Sequence, residues 1–63
     1  MGRIAILLIE DEPEVREAVE RDLEPFADTF LIECAEEVQE ARSVMAEMAE
    51  AGDQVGLVLC DHL

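Results

Sequence analysis

The sequence predicts an α/β fold: a three-stranded parallel sheet in the order 2-1-3, with one helix on each face. Three observations lead there. Short apolar runs at residues 3–9, 29–34 and 55–60 alternate with two segments, 13–26 and 36–51, whose apolar residues recur at helical spacing. Single helices between consecutive strands imply parallel pairing through right-handed crossovers. The first run is the most uniformly apolar, so it belongs in the centre, and the third strand returns to its free side.

Each element has its own signature. Arg3-Ile4-Ala5-Ile6-Leu7-Leu8-Ile9 shows no polar alternation, which marks a strand covered on both faces. It stops at Glu10-Asp11-Glu12-Pro13, where Pro13 suits the first helical position because its missing N–H costs nothing there. Asp11 or Glu12 falls at or before the N-cap, where an acid also favours the helix dipole. Val15, Ala18, Val19, Leu23 and Phe26 then form one helical stripe. Glu12–Arg16 and Glu17–Arg21 are acid-before-base pairs one turn apart, and Pro25 ends the segment. Thr29-Phe30-Leu31-Ile32-Glu33-Cys34 is rich in β-formers but less uniform, as suits an edge. The second stripe is Val38, Ala41, Met45, Met48 and Ala49, with the Met side chains as core filler and Gly52 as the helix stop. Val55-Gly56-Leu57-Val58-Leu59-Cys60 is the third strand, and Asp61-His62-Leu63 follows it.

Composition bounds the class. Sixty-three residues make one domain at most, and 51% hydrophobic content is too high for a disordered tail. A chain of this size buries only about 60% of its unfolded surface, so folding alone is marginal. Seventeen acids stand against four bases, all of them Arg, for a formal charge of −13. Such a surface repels nucleic-acid phosphates and anionic lipid and suits cations or basic partners. No run approaches the ~20 apolar residues of a membrane span, and no secretory signal is visible, so a cytoplasmic location is expected.

The layout has a chemical consequence. Glu10 and Asp11 lie at the carboxyl end of strand 1, and Asp61 at the carboxyl end of strand 3. Adjacent parallel strands bring these ends to about 5 Å spacing. The order 2-1-3 is that of a flavodoxin-like doubly wound sheet, here a three-layer βαβαβ fragment, whose ligand crevice lies at the switch between strands 1 and 3. Three converging carboxylates are costly unless neutralised. Mg²⁺ is the expected remedy, because it uses one or two carboxylates and keeps several waters. Cys34 and Cys60 end the two outer strands, about 9.6 Å apart across strand 1, beyond the ~7 Å reach of a disulfide, so two thiols are expected. His62 has no His or Cys partner at ligand spacing and reads as an exposed loop residue.

Ile6-Leu7-Leu8-Ile9-Glu10-Asp11-Glu12-Pro13, followed by Val15-Arg16 in a helix, resembles the opening of a response-regulator receiver domain of two-component signalling. Leu57-Val58-Leu59-Cys60-Asp61 resembles that family's third strand, which ends in the phosphoacceptor. The resemblance covers essentially all of residues 1–63. An acid pair after strand 1 is common; its combination with an Asp about fifty residues later, two helices between, is far more specific. The resemblance implies that Asp61 accepts a phosphoryl group from a sensor histidine kinase or phosphotransfer protein. It implies Mg²⁺ bound by Asp11, by Glu10 through water, by Asp61 and by the backbone carbonyl of Leu63. A receiver assists its own phosphorylation and is not a turnover enzyme.

The chain departs from the family pattern in two respects. Glu10 stands where Asp is commoner, a change that a water-mediated contact tolerates. The Ser or Thr after strand 4 and the Lys after strand 5 have no counterpart: the sequence has no lysine, its one Thr is Thr29 and its one Ser is Ser43. The chain therefore reads as the N-terminal half of a receiver, with strand 3 an apolar edge, so that the piece is expected to self-associate through that edge, to aggregate, or to be part of a longer chain. A non-switching fragment or interaction module is the alternative. A Rossmann nucleotide site is excluded because the first turn lacks glycine. A haloacid-dehalogenase-type phosphatase needs Asp-x-Asp after strand 1, which Glu10-Asp11-Glu12 does not supply.

Overall fold

The structure is a computed structural model that describes residues 2–60; Asp61, His62 and Leu63, including two of the expected site residues, lie outside the described residues. The elements are β1 (Ile4–Ile9), α1 (Pro13–Leu23), a 3-10 turn (Glu24–Phe26), β2 (Leu31–Ala35), α2 (Val38–Ala51) and β3 (Gln54–Cys60). The sheet is parallel throughout, in the order β2-β1-β3. The expected fold class is what forms. Ala5, Ile6, Leu7 and Leu8 are all buried, which accounts for the unbroken apolarity of β1: side chains on both faces of a central strand need cover.

The two faces follow from alternation along the strand. Leu7 packs with Ala35 of β2 and Ala41 of α2, and Ile9, Val44 and Val55 close around them. On the opposite face Ile6 and Leu8 register with Ile32 and Cys34 of β2 and with Leu57 and Leu59 of β3. The helix α1 lies on this second face and packs over β2.

Several boundaries differ from expectation, each for a local reason. The expected first helix reached Phe26, but α1 stops at Leu23. Pro25 has no N–H to continue the ladder, so the chain tightens into a 3-10 turn. Thr29 and Phe30 are not in β2. Both donate backbone N–H to the Phe26 carbonyl, at 3.0 and 2.8 Å, which holds them in a turn. At the far end β2 runs one residue further, to Ala35, which pairs with Ile9. The second helix begins at Val38, two residues late. Glu37 is extended and acts as N-cap, and Glu36 donates its N–H to the Glu40 carboxylate at 2.8 Å.

The expected stripes are also shifted. In α2 the buried side chains are Ala41 and Met48, with Val44 between them, while Val38, Met45 and Ala49 are exposed. A narrow three-stranded sheet takes a seam at i, i+3, i+7 rather than a broad face. In α1 no residue is fully buried: Val19 and Leu23 are half-covered and Val15 and Ala18 exposed, as is Phe26 in the turn that follows. This helix leans toward β2 and leaves the β1–β3 side of its face open. An apolar cleft of about 370 Å³ there is lined by Ile4, Ile6, Leu23, Phe26, Phe30 and Leu57.

The connection from α2 to β3 is tightly tied. Gly52 has φ of 86°, the left-handed region, and donates to the Ala49 carbonyl, while Asp53 donates to that of Met48. This two-bond stop satisfies carbonyls that the helix end would otherwise orphan. The Asp53 carboxylate accepts the Arg3 N–H at 2.7 Å, and Gln54 donates to the Arg3 carbonyl, so β3 is aligned with β1 from its first residue. A register slip after Ala5 leaves Gly56 opposite no residue of β1, a bulge in the edge strand.

Candidate functional site

The carboxyl end of the sheet is built by three strand ends and the two turns that leave them. Glu10 follows β1 directly, and its N–H donates to the Ala35 carbonyl at 2.9 Å. That bond extends the β1–β2 ladder by one step and fixes the Glu10 backbone over the end of β2. Glu10 is only 4% exposed, the one buried charged residue among the described residues. A buried carboxylate is costly without partners. Here one oxygen of Glu10 accepts the N–H of Glu12, the α1 N-cap residue, at 3.0 Å. The α1 N-terminus therefore takes its acid from two residues before the cap, and neither Asp11 nor Glu12 caps with its own side chain.

Asp11 is exposed at the rim. With Glu10, Ile9 and Cys60 it lines a cleft of about 240 Å³, closed on the other side by Glu36, Glu37 and Val38. Cys60 registers with Ile9, at the level where β1 gives way to Glu10. The expected juxtaposition of Glu10 and Asp11 with the end of strand 3 therefore holds up to Cys60. Asp61, the next residue in sequence, and the carbonyl of Leu63 lie outside the described residues.

Two features escaped the sequence reading. Glu36 and Glu37 face the same cleft, because they follow Ala35 as Glu10 and Asp11 follow Ile9. Their position after a strand end was the available signal. Arg16 is the second. Its expected partner was Glu12, one turn earlier. Instead its guanidinium donates to the Glu10 carbonyl at 3.0 Å and comes within 3.9 Å of the Glu36 carboxylate.

A cation can be tested against this donor set. Among the described residues no group of three or more His, Cys, Asp or Glu side chains is arranged to hold a metal ion, so they form no closed protein cage. Mg²⁺ does not need one: it takes one or two carboxylates and retains water. Glu10 and Asp11 supply two carboxylates to the cleft, whose wall also includes the apolar Ile9 and Val38 and the thiol of Cys60.

The cysteines end the outer strands as expected, Cys34 beside Leu8 and Cys60 beside Ile9 on opposite sides of β1, and neither is in a disulfide. Among the described residues no helix is long and apolar enough to cross a membrane. Comparison of the chain with protein-family models, with curated proteins and with solved structures finds no match.

Proposed function

We propose that this chain carries the acidic half of an aspartyl phosphoacceptor site of the response-regulator receiver type. The supporting observation is the cleft at the carboxyl end of a β2-β1-β3 sheet, where Glu10, Asp11 and the end of β3 come together. In this reading a carboxylate oxygen of Asp61 attacks the phosphorus of a phosphohistidine on a sensor histidine kinase or phosphotransfer protein. The P–N bond breaks, an aspartyl-phosphate forms, and the imidazole nitrogen takes up a proton.

Three groups of this chain would hold Mg²⁺: the Asp11 carboxylate directly, Glu10 through water, and the Leu63 carbonyl, beside Asp61 itself. When bound, the ion supplies charge neutralisation for the transferring oxygens. The burial of Glu10 and its bond to the Glu12 N–H favour an indirect role for that side chain, and the exposure of Asp11 favours direct contact. The chain would be a substrate of its kinase rather than a turnover enzyme.

The test is labelling by acetyl phosphate. Wild type should gain one hydroxylamine-sensitive phosphate in Mg²⁺, none in EDTA, and none in Asp61→Asn. Label retained in Asp61→Asn but lost in Asp11→Asn would point instead to a phosphatase-type nucleophile after β1. No label under any condition would favour a non-switching interaction module.

A further inference from the structure

The α1 face of the sheet is only half covered. The helix packs over β2, with Glu20 beside Cys34 and Arg16 reaching toward Glu36 after that strand. The rest of this face is floored by β1 and β3, where Ile6 registers with Leu57 and Leu8 with Leu59. Two clefts lie end to end along these pairs. One, of about 370 Å³, is walled by Ile4, Phe26 and Leu57; the other, of about 360 Å³, by Val15, Val19 and Leu59. Together they make an apolar groove between α1 and the sheet edge. Ile4, Phe26 and Leu57 are 49%, 50% and 50% exposed there. Contiguous exposed apolar surface with a polar rim marks a binding surface.

The dimensions of the groove select its occupant. β1 has six residues, so the groove runs for about 20 Å at ~3.3 Å per residue. A helix of about 13 residues has that length. The outer strands of the sheet are about 9.6 Å apart, and packed helices lie about 8–10 Å apart. With α1 above β2, a second helix beside it rests above β1 and β3. Charge narrows the choice further. Arg16 and Glu20 take the β2 flank of α1, so helical spacing places Ala18 and Asp22 on the β3 flank, with Glu14 one turn earlier. All three are exposed. Ala18 is small enough for a neighbouring helix to come close, and Glu14 and Asp22 rim the groove with negative charge. The formal charge of −13 disfavours a second copy or an acidic partner at this rim and favours a basic one.

We propose that the groove between α1 and the β3 edge seats a basic amphipathic helix of a partner chain, lying beside α1. Its apolar stripe covers Ile4, Leu57 and Leu59, and its basic flank meets Glu14 and Asp22. This docking stands apart from the phosphoacceptor reading and uses none of its residues.

The probe is a synthetic peptide of about 13 residues, with Leu at i, i+3, i+4, i+7 spacing and Lys and Ala elsewhere. It is titrated into the full 63-residue chain by calorimetry, with circular dichroism following its helix content. The peptide should bind, gain helix on binding, and bind more weakly as NaCl rises from about 20 mM to about 500 mM. Leu57→Lys should weaken binding at least ~tenfold. Val58→Lys, on the opposite face of the same edge strand, should leave it unchanged. No binding at low salt overturns the proposal. So does equal binding of an isomer with the leucines spread round the helix, which reduces the effect to bulk charge. Equal binding of a Glu-for-Lys peptide overturns the charge argument. Equal loss in Leu57→Lys and Val58→Lys moves the contact to the strand edge and overturns the groove. A wild type already dimeric at low salt through Leu57, taking up no peptide, gives the groove to a second copy and overturns it too. Should Leu57→Lys fail to fold, Asp22→Lys on the exposed helix flank decides: weaker binding at low salt supports the proposal, and unchanged binding overturns it.

Discussion

Cys34 shows how one neighbour sets the chemistry of a residue. It sits on the α1 face of β2, half-buried, with the Glu20 carboxylate near its thiol. Burial and that carboxylate push the thiol pKa up from 9.0 to about 11, against a smaller opposing pull from Arg16. The protonated form is therefore favoured in the folded chain. The stability this contributes is fully present below pH 9.0 and is lost as pH rises toward about 11. Urea midpoints measured across that window should fall in wild type and fall less in Cys34→Ala; parallel profiles would remove Cys34 from the account. At pH 8 the thiol is almost wholly protonated, so iodoacetamide should modify exposed Cys60 first and Cys34 only slowly. The same dependence on neighbours limits what the sequence says about the cleft. Glu10 and Asp11 were legible because a strand end fixes where the next two residues go. Arg16 was not, since its choice between Glu12 and the Glu10–Glu36 pair depends on how α1 leans, and no periodicity records that.

Elements were legible where a repeat carried them and obscure where a single contact did. Period and apolar run length identify β1, α1, α2 and β3 and their order. The start of β2 was missed because the Phe26 carbonyl captures Thr29 and Phe30, a choice made by turn geometry rather than by β propensity. The end of α2 was read correctly because glycine at a helix stop has a backbone reason. Gly52 at φ of 86° has open space where a Cβ would go, so Gly52→Ala should cost about 1 kcal/mol from backbone strain alone. Gly52→Asn should cost less, because Asn tolerates the left-handed region. Gly2 is constrained differently. A Cβ there would overlap the Gly52 carbonyl, so Gly2→Ala and Gly2→Asn should destabilise alike, with no relief from Asn. Urea unfolding of the four variants checks this, and equal effects of Ala and Asn at Gly52 would rule out the strain argument.

For the molecule as a whole, two forces act in opposition on β3. This strand is an edge, yet its sequence is apolar on both faces, and Leu57 and Val58 are 50% and 43% exposed. An edge of that kind presents unpaired backbone groups beside apolar side chains, which is a template for another strand. The Gly56 bulge is a local feature that blunts it. Against association stands the formal charge of −13, carried identically by every copy. Charge repulsion is screened by salt, whereas burial of apolar surface is not. Self-association should therefore be weak at low ionic strength and grow with it, the reverse of an assembly held by ion pairs. Sedimentation velocity on the 63-residue chain, from about 20 mM to about 500 mM NaCl, should show the weight-average coefficient rising with salt and with protein concentration. Val58→Lys should suppress the rise, because a charge on an exposed edge strand disfavours pairing while leaving the buried β1 contacts intact. Leu57→Lys should act likewise on the other face, where Leu57 lines the open apolar cleft. A sedimentation coefficient that stays flat across the whole range would mean that the bulge and the charge together close this edge, and that Leu57 and Val58 remain solvated in the isolated chain.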